Sequence, residues 1–342
     1  MIEPDDEVLT DGGIPRWVGW VAVLTVVAVL AGLVVTHLPA EHSHPAASKP
    51  RPPANPAVPV TAAPDVAKGT DTTWVLRDDA LLSVEGPRVV ARLSLQDLHL
   101  SGTPRLAVDA AAHTVWIVVT NAVTGRMVEY DERTLRKLRD LTWRQLVQSA
   151  VAYRGHLYLQ NDFGVADLAP GATRPRFIAG LSGAVGPLAV DPTRHRLIAI
   201  DLGYPTDVWS YRPGHRPVEA RQPLDLSKGT LAVVDGTIWV GAFAGSGGAV
   251  LERLDPRTLR PIRHAAGRPF DPGAVIVGDG ARVLWVRPDS GSDMLACVGA
   301  RSGRIEQQWR LRDVAAVTSG PDGALAATPS GVLGLIMADC RG

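Results

Sequence analysis

Net charge is missing from this chain of 342 residues: 35 Lys and Arg balance 35 Asp and Glu. Lysine is scarce as well, with only Lys49, Lys68, Lys137 and Lys228. A nucleic-acid binder carries a basic patch or stripe. Here acidic residues are interspersed with the arginines, so no nucleic-acid partner is expected. Cysteine is nearly absent, with Cys297 and Cys340 alone, too few for a metal site by themselves. The sequence also lacks a Gly-x-Ser-x-Gly elbow, a Walker loop and a His-Glu-x-x-His helix motif. The run Gly245-Ser246-Gly247-Gly248 reads as a hairpin loop rather than a phosphate cradle. These absences leave no catalytic, cofactor-binding or metal residue to assign.

One absence is local. Trp17 to Thr36 contain no charged residue and are mostly Val, Leu and Ala. Twenty apolar residues at about 1.5 Å rise span a bilayer core of about 30 Å. The run is longer than the h-region of a signal peptide, and the segment before it is acidic rather than basic. The expectation is a short tail over 1–16 and an uncleaved transmembrane signal anchor over 17–38. Charges flanking the run are nearly balanced, so orientation rests on the short N-terminal tail and the large C-terminal part. That arrangement places the tail in the cytoplasm and the bulk of the chain outside. Residues 39–69 hold eight prolines, which break helix and sheet alike. They read as a disordered, polyproline-rich spacer. His42 and His44 lie on it without preorganised geometry.

What is abundant begins near Thr70. A short apolar strand pattern recurs as Thr72–Leu76, Thr114–Val118, His156–Leu159, Arg196–Ile200, Thr237–Val240, Val283–Val286 and Ala324–Ala327. Its central positions, 74, 116, 158, 198, 239, 285 and 326, are 42, 42, 40, 41, 46 and 41 residues apart. A repeat of this period, with strands bounded by turn residues, predicts an all-β chain: a seven-bladed β-propeller over 70–342. A second internal match, Tyr130 to Arg136 against Leu254 to Arg260, marks the turn between third and fourth strands. Asp131 and Asp255 are expected to bond their own turn backbone there. The first blade looks short of an innermost strand and the last of an outermost one. A ring closed by mixing N- and C-terminal strands would account for both.

Trp116-Ile117-Val118-Val119-Thr120-Asn121, followed by Thr124 to Asp131, resembles the YVTN-type seven-bladed β-propeller repeats. The resemblance covers about residues 70–340. It is good in the second and fifth blades and loosest in the third and fourth. It implies a propeller fold and an extracytoplasmic binding protein, with no shared catalytic residues. Streptogramin-lyase-like enzymes have a similar blade count, but their histidine arrangement finds no match here.

Position distinguishes the polar residues. His113 and His195 sit in equivalent turns, with His156 one blade between them; they form either a ring on one face or ordinary turn residues. His99, His215 and His264 are scattered. Asp109, Asp191 and Asp235 end first strands, where turn capping explains them. Asp162, Asp201 and Asp289 follow pattern strands and share one side, where cation binding is the sharper alternative. Trp74, Trp116, Tyr158, Trp239 and Trp285 share one register, which favours packing between blades over a ligand-stacking ring. Cys297 and Cys340, in adjacent late blades, are a possible disulfide in an oxidising compartment. Bridging requires Cα atoms within about 7 Å. The reading that results is a membrane-anchored scaffold at the cytoplasmic membrane that binds a cell-envelope protein or glycan. An enzyme, lyase or hydrolase, using His113, His156 or His195 stays open, as does a ligand-sensing domain.

Overall fold

A computed structural model describes residues 65–336, with breaks at 78, 86–87, 99–102, 122, 184–185, 202–204, 215–219, 225, 235, 245–248, 263–275, 279–281, 288–292, 300–304, 312–315, 321–322 and 329–330. The anchor expected over 17–38 and Cys340 lie outside these residues. Among the described residues no helix is long and apolar enough to cross a membrane.

The described chain forms antiparallel meanders. The first is β1 (Asp65–Lys68), β2 (Thr73–Leu76), β3 (Ala80–Glu85) and β4 (Arg88–Ser94). The second is β5 (Thr103–Asp109), β6 (Thr114–Thr120), β7 (Gly125–Asp131) and β8 (Lys137–Trp143). The third is β9 (Ser149–Tyr153), β10 (His156–Asn161), β11 (Gly164–Leu168) and β12 (Arg176–Ser182). The fourth is β13 (Leu188–Asp191), β14 (Arg196–Ile200), β15 (Thr206–Tyr211) and β16 (Ala220–Leu224). The fifth has three described strands, β17 (Leu226–Val234), β18 (Thr237–Ala244) and β19 (Ala249–Leu254). The sixth is β20 (Ile276–Gly278), β21 (Arg282–Arg287), β22 (Asp293–Gly299) and β23 (Ile305–Leu311). The last has three, β24 (Ala316–Gly320), β25 (Gly323–Thr328) and β26 (Gly331–Ile336). First strands touch in the cyclic order β1, β5, β9, β13, β17, β20, β24 and back to β1.

The spacer expectation over 39–69 is corrected at its end. Asp65–Lys68 form β1, in register Ala67↔Trp74. The Asp65 carboxylate accepts from the Leu106 N–H of the second sheet at 2.8 Å. The first sheet therefore has its own innermost strand, supplied by residues just before Thr70.

Why the second strands are apolar along their centres follows from where their side chains go. Neighbouring residues of a strand point to opposite faces. Val115 and Ile117 pack with Trp74, Leu76 and Leu81 of the first sheet. Trp116 and Val118 pack with Leu157, Leu159 and Leu168 of the third. Both faces of β6 are thus buried, and all seven of its residues are buried. Such a strand reads as a continuous apolar run rather than an alternation. Tyr158 repeats the arrangement toward the fourth sheet, among Leu188, Leu197 and Trp209. Trp74, Trp116 and Tyr158 are therefore packing residues between sheets, as their shared register implies.

The repeated turn is equally local in origin. Asp131 Oδ1 accepts from Arg133 N, Thr134 N and Thr134 Oγ1 at 3.1, 2.7 and 2.7 Å. Asp255 Oδ1 accepts from Arg257 N, Thr258 N and Thr258 Oγ1 at 2.9, 2.8 and 3.0 Å. The Thr134 and Thr258 donors hold both carboxyls below the usual carboxylate range. Each turn closes on a leucine in the left-handed region, Leu135 at φ 55 and Leu259 at φ 58. Burial of Leu259 in the core between the fourth and fifth sheets compensates for the strained backbone.

Candidate functional site

The turns joining first to second strands lie on one face, together with those joining third to fourth strands. Asp109 Oδ1 accepts from Ala111 N and Ala112 N, and its Oδ2 accepts from Gly155 N in the third sheet. Asp191 repeats this with Thr193 N and Arg194 N at 3.1 and 3.2 Å. Arg194 Nη1 then donates to Gly236 O of the next sheet at 2.7 Å. Both aspartates cap turns; Asp109 also ties adjacent sheets directly, whereas at Asp191 the tie runs through Arg194, whose Nη1 also donates to Asp191 Oδ2 at 3.2 Å. The caps are legible in the sequence; the ties to the next sheet could not be read from a local pattern.

His113 and His195 occupy equivalent left-handed positions, φ 52 and φ 55, and both reach back to the preceding sheet. His113 Nδ1 is 3.2 Å from Thr70 Oγ1 and 3.5 Å from Glu132 Oε2. His195 Nδ1 is 2.6 Å from Tyr153 Oη, and its Nε2 is 3.2 Å from Arg154 Nη2. The group missed in the sequence is Glu132, nearly buried in a turn. It accepts from Thr70 N at 2.8 Å, Thr70 Oγ1 at 2.8 Å and Trp74 Nε1 at 3.3 Å. Gly69 leaves room for it: a Cβ there would lie 2.2 Å from Glu132 Oε1.

His156 does not join this series. It starts β10 and faces the boundary between the third and fourth sheets. Its Nδ1 is 2.8 Å from Asp167 Oδ1; a carboxylate only accepts, so Nδ1 carries a proton. Its ring stacks on Tyr158 at 5.7 Å and 3°. The Tyr158 hydroxyl is buried without a hydrogen-bond partner among the described residues. Burial, then the nearby Asp167 charge, pushes its ionisation upward. Beside Asp167 opens a groove of about 740 Å³ lined by Thr173, Arg174, Arg176, Phe177 and Tyr211 among others. The pair His156–Asp167 can hold or pass a proton. Among the described residues no hydroxyl or thiol bonds His156 to complete a nucleophile. The three histidines, weighed above as one ring or as ordinary turn residues, thus serve three separate settings.

On the opposite face, hairpins joining second to third strands carry the two most exposed large apolar side chains among the described residues, Val123 at 70% and Phe163 at 64%. Each stands two residues after an asparagine that caps its loop. Asn121 Oδ1 accepts from Val123 N and Thr124 N at 3.1 and 2.9 Å. Asn161 Oδ1 accepts from Phe163 N at 2.8 Å. The segment 145–148 straps the hairpins together. Thr120 Oγ1 donates to Val147 O at 2.9 Å. Gln160 Nε2 donates to Gln148 Oε1 at 3.1 Å, and Gln148 Nε2 to Asp162. Asp162 is thus occupied by an amide, and Asp201 accepts from Asp207 N at 3.1 Å. The recurring Asn-x-apolar spacing was the available signal for these tips. His99, His215, His264, Asp235 and Asp289 lie outside the described residues.

No family model matches the sequence, and no curated protein matches it. Solved structures match in fold. BamB from Moraxella catarrhalis is 10% identical, aligned over 82% of this chain and 97% of its own, with a TM-score of 0.53. Virginiamycin B lyase from Staphylococcus aureus is 8% identical over 81% and 97%, with a TM-score of 0.54. PorZ, a surface component of the type-IX secretion system of Porphyromonas gingivalis, is 14% identical, with a TM-score of 0.59. That match covers 84% of this chain and 38% of PorZ. Identities this low speak for the fold alone: the sheets of four antiparallel strands are those of a β-propeller.

Proposed function

We propose that this protein is an extracytoplasmic seven-bladed β-propeller, held at the cytoplasmic membrane by the 17–38 helix, that scaffolds a cell-envelope protein. The observation that carries the binding role is the paired tips Val123 and Phe163. Exposed aromatic and aliphatic anchors contribute most at protein interfaces when they are fixed before binding. Here asparagine caps and the strap fix both. The cyclic order of first strands supports a ring of seven blades. The fold likeness to PorZ, a surface component of a secretion system, agrees with an envelope role.

A disulfide between Cys297 and Cys340 fits the same location. Cys297 is fully buried on β22, and no free thiol is present among the described residues. Alkylation of the denatured, unreduced protein is expected to label no cysteine; two labelled thiols would remove this support.

The test is cross-linking of the C-terminally tagged full-length protein in its native membranes. Wild type is expected to capture one dominant envelope protein. The Val123→Ser/Phe163→Ser variant, folded and inserted normally, is expected to lose it. Equal capture by both proteins, or none by either, would overturn the reading.

A further inference from the structure

We propose that the groove between β11, β12 and β15 binds an acidic saccharide, with Arg174 and Arg176 clamping its carboxylates. This site lies apart from the Val123–Phe163 tips and stands or falls without them. Its volume, about 740 Å³, is in the range of about 300–1,000 Å³ that small-ligand pockets occupy. The charge in it is unbalanced. Asp167 is the one acidic residue among the described residues lining the groove, and His156 already engages it at 2.8 Å. The side chains of Arg174 and Arg176 are exposed, and neither guanidinium has an ion-pair or hydrogen-bond partner among the described residues. Guanidinium groups bind carboxylates through two parallel N–H donors. Phe177, 48% exposed, supplies an apolar face for the hydrophobic side of a sugar ring.

The walls are held in place. Arg139 Nη1 donates to Ala172 O at 3.4 Å, and its guanidinium lies 4.7 Å over the Trp116 ring. The Trp143 ring contacts Phe177 at 5.7 Å. A groove along an outer strand could instead take a peptide as an added strand. The pairing of β12 argues against that. Ala166 faces Phe177 and Gly164 faces Ser182, so five steps of β12 run against two of β11. Gly180 turns through φ 88 inside this bulge. A bulged edge does not template a straight partner strand. Pro170 and Pro175 also remove N–H donors from the rim.

Calorimetry on the full-length protein in detergent tests this, with trigalacturonate as probe, maltotriose as its neutral counterpart and triglutamate as an acidic peptide. Trigalacturonate is expected to bind, and to bind at least tenfold more tightly than the other two. Arg174→Ala/Arg176→Ala is expected to weaken it about ten- to a hundredfold, as loss of charge-assisted bonds does. Both side chains are exposed, so the melting temperature stays unchanged. Val123→Ser/Phe163→Ser is expected to bind trigalacturonate like wild type. No binding, equal binding of maltotriose or triglutamate, or full affinity in the double arginine variant would each overturn the proposal.

Discussion

The boundary between the first and second sheets and that between the third and fourth are built from the same turns, yet they end in opposite states. At the first, Glu132 meets three donors, two from Thr70 and one from Trp74. At the second, the position of Trp74 is taken by Tyr158, whose hydroxyl is buried with no partner among the described residues, and an open groove carries arginine side chains unpaired among those residues. His113 and His195 show the same divergence from identical backbone positions. One leans on a threonine and a buried carboxylate, the other on a tyrosine and an arginine. A repeat copies its turns, but what each turn touches depends on the neighbouring blade. Satisfied polar groups make the first boundary a latch. Unsatisfied ones leave the other with capacity for a ligand.

The sharpest way to break this contrast is Glu132→Ala. It strips the acceptor from the buried Trp74 Nε1 and from Thr70 N, and is expected to cost about 2–4 kcal/mol. Denaturant unfolding measures it, and His156→Ala at the other boundary should cost less than half as much. A Glu132→Ala loss no larger than that of His156→Ala would mean there is no latch. Gly69→Ala comes next, at about 1–3 kcal/mol, because its Cβ would meet Glu132 Oε1 at 2.2 Å. Thermal melting should show the loss largely vanish when Glu132→Ala is also present, since the clashing atom is then gone.

Opposite signs are expected from two tyrosines of the third sheet. Tyr158→Phe removes a buried hydroxyl without a partner and should stabilise by about 1 kcal/mol. Tyr153→Phe removes one that bonds His195 at 2.6 Å and should cost about 0.5–1 kcal/mol. Unfolding midpoints of the two variants decide it. Destabilisation by Tyr158→Phe would mean that its hydroxyl has a partner and that this boundary is as closed as the first.

The architecture was legible because it rests on local rules. Period-42 strands report two buried faces, and Asp-x-x-Thr turns close on themselves. Asp109 and Asp191 could be read as caps for the same reason. Glu132 could not. Its donors are 58 and 62 residues away in sequence, and a charged residue in a polar turn looks solvated. The groove was hidden likewise, since Arg174 and Arg176 flank Pro175 where an ordinary loop runs into β12, until Tyr211 of the next sheet closes it. β1 was masked by its neighbourhood: four strand residues at the end of a proline-rich stretch resemble spacer until their pairing with Thr73–Leu76 is seen.

The smallest expected effect comes from the fifth sheet, where an unpaired group sits in a strand rather than a turn. Glu252 on β19 is half-buried, faces Val240 across the ladder, and its carboxyl has no ion-pair or hydrogen-bond partner among the described residues. Burial raises its ionisation above the ordinary 4.5. A carboxyl raised on folding favours the folded state while protonated. That contribution is full below pH 4.5 and is lost as pH climbs through the raised value. Glutamine imitates the protonated form at every pH. Glu252→Gln is therefore expected to be more stable than wild type at pH 7, by no more than about 0.5 kcal/mol. The two should converge below pH 4.5, as stability curves across pH would record. A pH-independent difference would instead locate the effect in packing against Val240, and the fifth sheet would then belong with the closed boundary.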